Sequence, residues 1–153
     1  MKGLLKTSEI IQVGIIVKNI EKTKTKWADF FGVPVPPTVD AGDYEITQTK
    51  YKGKGAPKAK CKMAFFSAGA NMQLELIQPN GEKSTWQDFL DTKGEGIHHI
   101  AFKVKDTEAI LETCREKGIK CVQQGKYGDA SGEYAYLDAV KDLKCIVETL
   151  ESY

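Results

Sequence analysis

Residues 10–33, IIQVGIIVKNIEKTKTKWADFFGV, and residues 97–119, IHHIAFKVKDTEAILETCREKGI, read as two copies of one unit. Sliding the first by 87 positions places Gln12 on His99, Gly14 on Ala101, Val17 on Val104 and Glu21 on Glu108. Gly32 meets Gly118 after a one-residue gap. The ends agree as well: NMQLELIQ, ending at Gln78, and KCIVETLE, ending at Glu151, align Glu75 with Glu148. A repeat of this size sets the architecture before any single residue is interpreted. Here it also puts four metal-capable side chains, Gln12, Glu75, His99 and Glu148, in matching slots.

Each copy opens on a short apolar run rich in β-branched residues, the mark of a strand, here Ile10 to Val17 and His98 to Val104. Asn19 and Asp106 then offer N-caps for helices over Ile20 to Phe31 and Thr107 to Lys117, ended by Gly32 and Gly118. In the first half TVDAGDYEITQTKYKG reads as strand-like, KGKGAPKAKCK as a lysine-rich link, and Met63 to Ser67 and Met72 to Gln78 as strands. Ser84 with Gln87 three positions on is a capping box, predicting a short helix to about Asp91 pinned by Trp86, Phe89 and Leu90. Strands near Lys120 to Gln123, Glu133 to Leu137 and Lys144 to Leu150 complete the second half. The expected fold is α+β: two tandem βαβββ modules, about 8–80 and 96–151, forming a cupped mixed sheet with helices on its outer face. A short helical linker over 81–95 joins them within one domain, 1–153.

Composition excludes several classes. Hydrophobic residues at 41% and charged ones at 28% are ordinary for a globular chain, and the net charge of +1 supplies no field for nucleic acid. No apolar run approaches 18 residues, and MKGLLKTSEIIQ lacks the features of a signal peptide. Cys61, Cys114, Cys121 and Cys145 show no paired spacing, which predicts reduced thiols and a cytoplasmic protein. Lys50, Lys52, Lys54, Lys58, Lys60 and Lys62 read as a solvated loop, with an anion-binding rim as the functional alternative. GKGAPKAK lacks the spacing of a phosphate-gripping loop.

Side chains alternate faces along a strand, so Gln12, Gly14 and Ile16 share one face while Ile11, Val13, Ile15 and Val17 form an apolar face for a helix. His99 falls with Ala101, Glu75 with Gln73 and Ile77, and Glu148 with Ile146 and Leu150. His98 is expected to point the other way and not to be a ligand. A glutamate in an apolar strand is costly to bury unless paired or metal-bound. Gly14 and Ala101 are small and would leave room beside a metal.

IQVGIIVKNIEK and GIHHIAFKVKDTEA, closed by QLELIQP and CIVETLE, resemble the vicinal oxygen chelate superfamily over nearly the whole chain. That group includes glyoxalase I, methylmalonyl-CoA epimerase, extradiol dioxygenases and the bleomycin- or fosfomycin-resistance proteins. The resemblance implies a cup around a divalent ion (Zn²⁺, Ni²⁺, Co²⁺ or Mn²⁺) held by Gln12, Glu75, His99 and Glu148, in a homodimer. That set is similar to the one in some glyoxalase I enzymes. STWQDFLDTKGEGIHHIAFKVKD and ELIQP look more like methylmalonyl-CoA epimerase, from which the DASGEYAYLDAVKDLKCIVETLE tail departs. Pro79 stands where glyoxalase I has an asparagine that contacts glutathione. The single arginine, Arg115, lies on a helix, whereas glyoxalase I grips glutathione carboxylates with arginines.

The implied activity is that of a lyase or isomerase removing a proton next to a carbonyl, on a small thioester, thiohemiacetal or 2-oxo compound. Glu148 is the first choice of base and Glu75 its counterpart. Non-haem iron dioxygenases use two histidines and a carboxylate; two adjacent histidines on opposite strand faces do not supply that set. The alternative is a metal-free small-molecule binding or antibiotic-resistance protein of the same fold.

Overall fold

The structure, a computed structural model, describes residues 3–153; Met1 and Lys2, the start of the N-terminal stretch read above, lie outside the described residues. Strand β1 (Ile10–Ile16) leads through Asn19 into helix α1 (Ile20–Phe31). The Asn19 side chain accepts from the Lys22 amide at 3.0 Å, and Gly32, at φ 69°, ends the helix in the left-handed conformation that glycine adopts without a Cβ penalty. The first half continues with β2 (Val39–Asp40), α2 (Tyr44–Thr47), β3 (Lys50–Tyr51), β4 (Lys54–Gly55), β5 (Cys61–Ser67) and β6 (Gln73–Pro79). Helix α3 (Thr85–Lys93) follows, with the Ser84 hydroxyl accepting from the Gln87 amide at 3.0 Å as the capping box predicts. The second half runs β7 (Gly96–Lys103), α4 (Thr107–Glu116), β8 (Cys121–Lys126), β9 (Gly132–Asp138), α5 (Val140–Leu143) and β10 (Ile146–Ser152).

These strands form one curled half-barrel in the order β2-β5-β6-β1-β7-β10-β9-β8-β3-β4. Strands β1 and β7 pair antiparallel at its middle, and each carries its own module's last strand beside it in parallel, β6 on β1 and β10 on β7. The register is symmetric in detail. Gln12 faces Ala101 and Gly14 faces His99 across the central pair; Gly14 adjoins Glu75 and Ala101 adjoins Glu148 in the parallel ladders.

The outer face is apolar and covered by helices. Val17, Ile20, Ala28, Ala64, Phe66, Leu74 and Leu76 pack α1 onto the first module, while Val104, Ile110, Cys114, Leu137 and Val147 do the same for α4 on the second. A third cluster, Ile16, Cys61, Ile77, Trp86 and Tyr136, lies on the concave side. No helix among the described residues is long and apolar enough to cross a membrane.

The stretch from Thr38 to Gly53 departs from the strand-like expectation. Only Val39 and Asp40 pair with β5; the chain then makes one helical turn and a tight hairpin. Lys52 at φ 50° and Gly53 at φ 80° form the hairpin's two-residue loop, both in the left-handed region that such loops favour. Strand β3 pairs with β8 of the other module, Lys50 with Gln124 and Tyr51 with Gln123. The segment therefore straps the two edges of the half-barrel together. Gly42 packs against Gly128 so closely that a Cβ on Gly42 would lie 2.7 Å from the Gly128 Cα. Helix α5, a single turn, is a second element absent from the sequence reading, and β8 extends past the expected end at Gln123 to Lys126.

Candidate active site

All four residues singled out from the repeat, Gln12, Glu75, His99 and Glu148, are buried and meet on the concave side. His99 Nε2 lies 2.9 Å from Glu148 Oε2 and 3.5 Å from Glu75 Oε2, and ligand atoms of these three all fall within 4.8 Å of one another. One amide atom of Gln12 sits 2.9 Å from each of those carboxylate oxygens and 3.2 Å from His99 Nε2. Its other amide atom meets the Gln73 side chain at 2.6 Å.

The Gln12 amide defines two states of this cluster. With nitrogen inward it donates to both carboxylates, and the cluster closes on itself. With oxygen inward its nitrogen donates to Gln73 Oε1, and three oxygens surround His99 Nε2, whose proton holds them together and whose place a divalent ion can take. Counted as two carboxylates and one imidazolium, the trio carries a net negative charge in a buried place. Three oxygens and one nitrogen on four strands are a donor set that fits a divalent ion able to accept mixed ligands.

Electrostatics follow from the burial. Desolvation raises the Glu75 carboxyl above its ordinary value, with Glu148 adding to the rise and His99 opposing it. Desolvation disfavours a charged ring at His99, but Glu148 and Glu75 outweigh it and push the imidazole up to about 10. Burial, and then the charge of His99, press His98 down to about 3, so it stays neutral.

His98 corrects the expectation that it points away from His99: Gly14 pairs with His99 and Ile15 with Ile97, so His98 sits at a bulge in β7, and its ring, though outside the four-residue cluster, packs beside His99 and Tyr136. Its Nδ1 lies 3.0 Å from His99 Nδ1, and its Nε2 lies 3.2 Å from the Thr85 hydroxyl. Gly14 corrects another expectation: the space it leaves is filled by the His99 ring, with both ring nitrogens within 2.5 Å of where a Cβ would stand. Gln73, placed on the face of Glu75 by the alternation, has no role in the sequence reading, yet it holds the outer end of the Gln12 amide. Thr85 could not have been found, because only the docking of α3 brings it to β7.

A cavity of about 320 Å³ opens onto Gln12, Glu75 and Glu148, walled by Trp86, Tyr134 and Tyr136 among others. Trp86 Nε1 donates to the Tyr136 hydroxyl at 3.0 Å, and burial pushes that hydroxyl well above the usual phenol range, so it remains protonated. None of the six clustered lysines lines the cavity, and Lys60 instead sits 3.6 Å from Asp43. Arg115 pairs with Glu112 on the exposed face of α4, away from the cavity.

Fold and site together define a paired-module half-barrel whose four central strands each send one ligand-type side chain to a common point. The chain belongs to the glyoxalase/bleomycin resistance protein/dioxygenase superfamily, whose profile matches residues 11–136. It is 28% identical over 140 residues to an ethylmalonyl-CoA/methylmalonyl-CoA epimerase of Cereibacter sphaeroides, covering 89% of this chain and 92% of that one. It is 34% identical over 93 residues to the uncharacterized protein YqjC of Bacillus subtilis, covering 60% of this chain and 66% of that one. Among solved structures, methylmalonyl-CoA epimerase from Mycobacterium tuberculosis superposes with a TM-score of 0.67 at 20% identity, covering 100% of this chain and 92% of the other. A Streptomyces coelicolor methylmalonyl-CoA epimerase variant in complex with 2-nitronate-propionyl-CoA gives 0.65 at 23% identity, covering 94% and 96%.

Proposed function

We propose that this protein is a divalent-metal-dependent epimerase that removes and returns the proton on the carbon next to a thioester carbonyl. One observation carries the reading: two buried carboxylates, Glu75 and Glu148, converge on His99 from symmetry-related strands at the floor of the cavity. The relatedness to epimerases supports the same substrate class.

Gln12, Glu75, His99 and Glu148 would hold the ion. Bound there, it supplies Lewis-acid stabilisation of the negative charge that develops on the carbonyl oxygen. Glu148 accepts the α-proton as general base, and Glu75, on the other module, delivers a proton to the opposite face of the planar carbon. Desolvation already raises Glu75, which suits a group that must carry a proton part of the time. Trp86, Tyr134 and Tyr136 exclude water from the carbanionic carbon and so favour reprotonation from the two glutamates.

Two further readings each have an observation behind them. The Gln, Glu, His, Glu donor set favours a glyoxalase-I-like isomerisation of a thiohemiacetal, the same proton chemistry on a different thiol. The inward-nitrogen state of Gln12, which satisfies the cluster without a cation, favours a metal-free binder.

The test is elemental analysis of the purified chain, followed by paired assays: α-proton exchange from solvent on a 2-methylmalonyl thioester, and isomerisation of methylglyoxal with glutathione. The expected result is about one divalent ion per chain and activity in the first assay. Glu148→Gln is expected to lower turnover by roughly 10²–10⁴-fold, and His99→Ala to lose the ion. Protein that stays metal-free after soaking in Ni²⁺, Zn²⁺ or Co²⁺ removes the enzyme reading.

A further inference from the structure

We propose that His98, anchored by Thr85, is a positioning residue that holds the His99 ring with Nε2 presented to a cation; the proposal rests on the divalent-metal reading above. His98 and His99 are consecutive on β7, yet their Nδ1 atoms approach to 3.0 Å, and His98 Nε2 reaches Thr85 Oγ1 at 3.2 Å. All three residues are buried, so water does not take over a lost contact.

Hydrogen-bond accounting leaves one arrangement when a cation occupies the Nε2 lone pair of His99. Its Nδ1 then carries the hydrogen and donates to His98 Nδ1, which must be bare. His98 therefore carries its hydrogen on Nε2 and donates to Thr85. A ligating imidazole whose other nitrogen is tied in this way is fixed in both tautomer and orientation. Here the tie is an imidazole on the same strand rather than a carboxylate or a backbone carbonyl.

The far end of the chain is fixed from outside β7. Thr85 follows the Ser84 cap at the start of α3, and its amide donates to Gln123 Oε1 at 2.8 Å. Gln123 in turn donates from Nε2 to the Tyr134 hydroxyl at 3.2 Å. The His98 ring is held edge-on between Phe89 and Tyr136, with centroids 5.4 and 5.1 Å away. The helix between the modules thus steers a ligand it never touches.

The experiment titrates Zn²⁺ by calorimetry into the EDTA-treated full chain for wild type, His98→Phe, His98→Asn and Thr85→Val. Phenylalanine keeps the ring and removes the hydrogen bond; affinity is expected to fall roughly 10–100-fold, with Thr85→Val in the same direction. Asparagine places a carbonyl oxygen where Nδ1 stood and is expected to restore most of the affinity. Melting in EDTA reports folding separately, and a structural role alone would lower it without the asparagine rescue of binding. Imidazole ¹⁵N spectra of the Zn²⁺-loaded wild type should show His98 bare at Nδ1 and protonated at Nε2. Equal affinity of wild type and His98→Phe, or the opposite tautomer of His98, overturns the proposal while leaving the metal site standing. A wild type that takes up no Zn²⁺ sinks the metal reading and the proposal with it. If His98→Phe does not fold, the asparagine variant and the wild-type spectra decide.

Discussion

Replacing Gly14 by alanine adds a single methyl group, and the structure says where it must go. An ideal Cβ there would stand 2.5 Å from both ring nitrogens of His99, and closer still to Cε1, where ordinary contact begins at 3.4 Å. Gly14 does not lie in the left-handed region, so the methyl causes no backbone strain of its own; elsewhere in a strand such a change tends to stabilise by up to about 1 kcal/mol. The imidazole must therefore recede by roughly an ångström, while metal–ligand distances tolerate only about 0.2 Å. It has nowhere to go: the ring is fully buried and its Nδ1 meets His98. Overpacking of this kind costs about 1–3 kcal/mol. We expect Gly14→Ala to lower the melting temperature in EDTA and to weaken divalent-ion binding by more than roughly 100-fold, read by calorimetry. The pairing Gly14→Ala with His99→Ala tests the cause, because removing the ring removes the clash and the stability losses should be strongly non-additive. A Gly14→Ala protein that binds the ion within a few-fold of wild type and melts unchanged would refute the register on which the site is built.

Two more outcomes follow from the fold. The Glu151 carboxylate accepts from the amides of Asp106 and Thr107 at the start of α4 and from the Thr107 hydroxyl, which holds its pKa below the ordinary 4.5. A depressed folded value means its stabilisation is present at neutral pH and is lost as pH falls through that value. Glu151→Gln should thus cost about 0.5 kcal/mol at pH 7, the low end for a solvent-screened helix-end carboxylate, and progressively less as the pH is lowered below the ordinary carboxylate range, measured by urea unfolding across that range. Because β1 pairs with β7 and β3 with β8, we also expect both modules to unfold together as one domain. Fluorescence of Trp27 in the first module and of Trp86 on α3 should report a single urea transition in single-tryptophan variants, and separate midpoints would contradict it.

The repeat, the faces of β1, β6 and β10, the caps at Asn19 and Ser84, and the convergence of Gln12, Glu75, His99 and Glu148 were readable in the chain itself. The physical reason is periodicity: alternation assigns a face to every regularly paired strand residue, and duplication assigns matching faces to matching slots. What only the tertiary structure decided is what approaches from another element. The strap from Thr38 to Gly53 crosses to β8 because two glycines, Gly42 and Gly128, let backbones touch, a contact that no local pattern encodes. His98 likewise reaches His99 because a bulge in β7 breaks the alternation there, and α3 delivers Thr85 to its far side. Alternation assigns a face wherever strand pairing is regular, whereas bulges and partners are set by which elements pack together, and at this site the partners tie down the ligands.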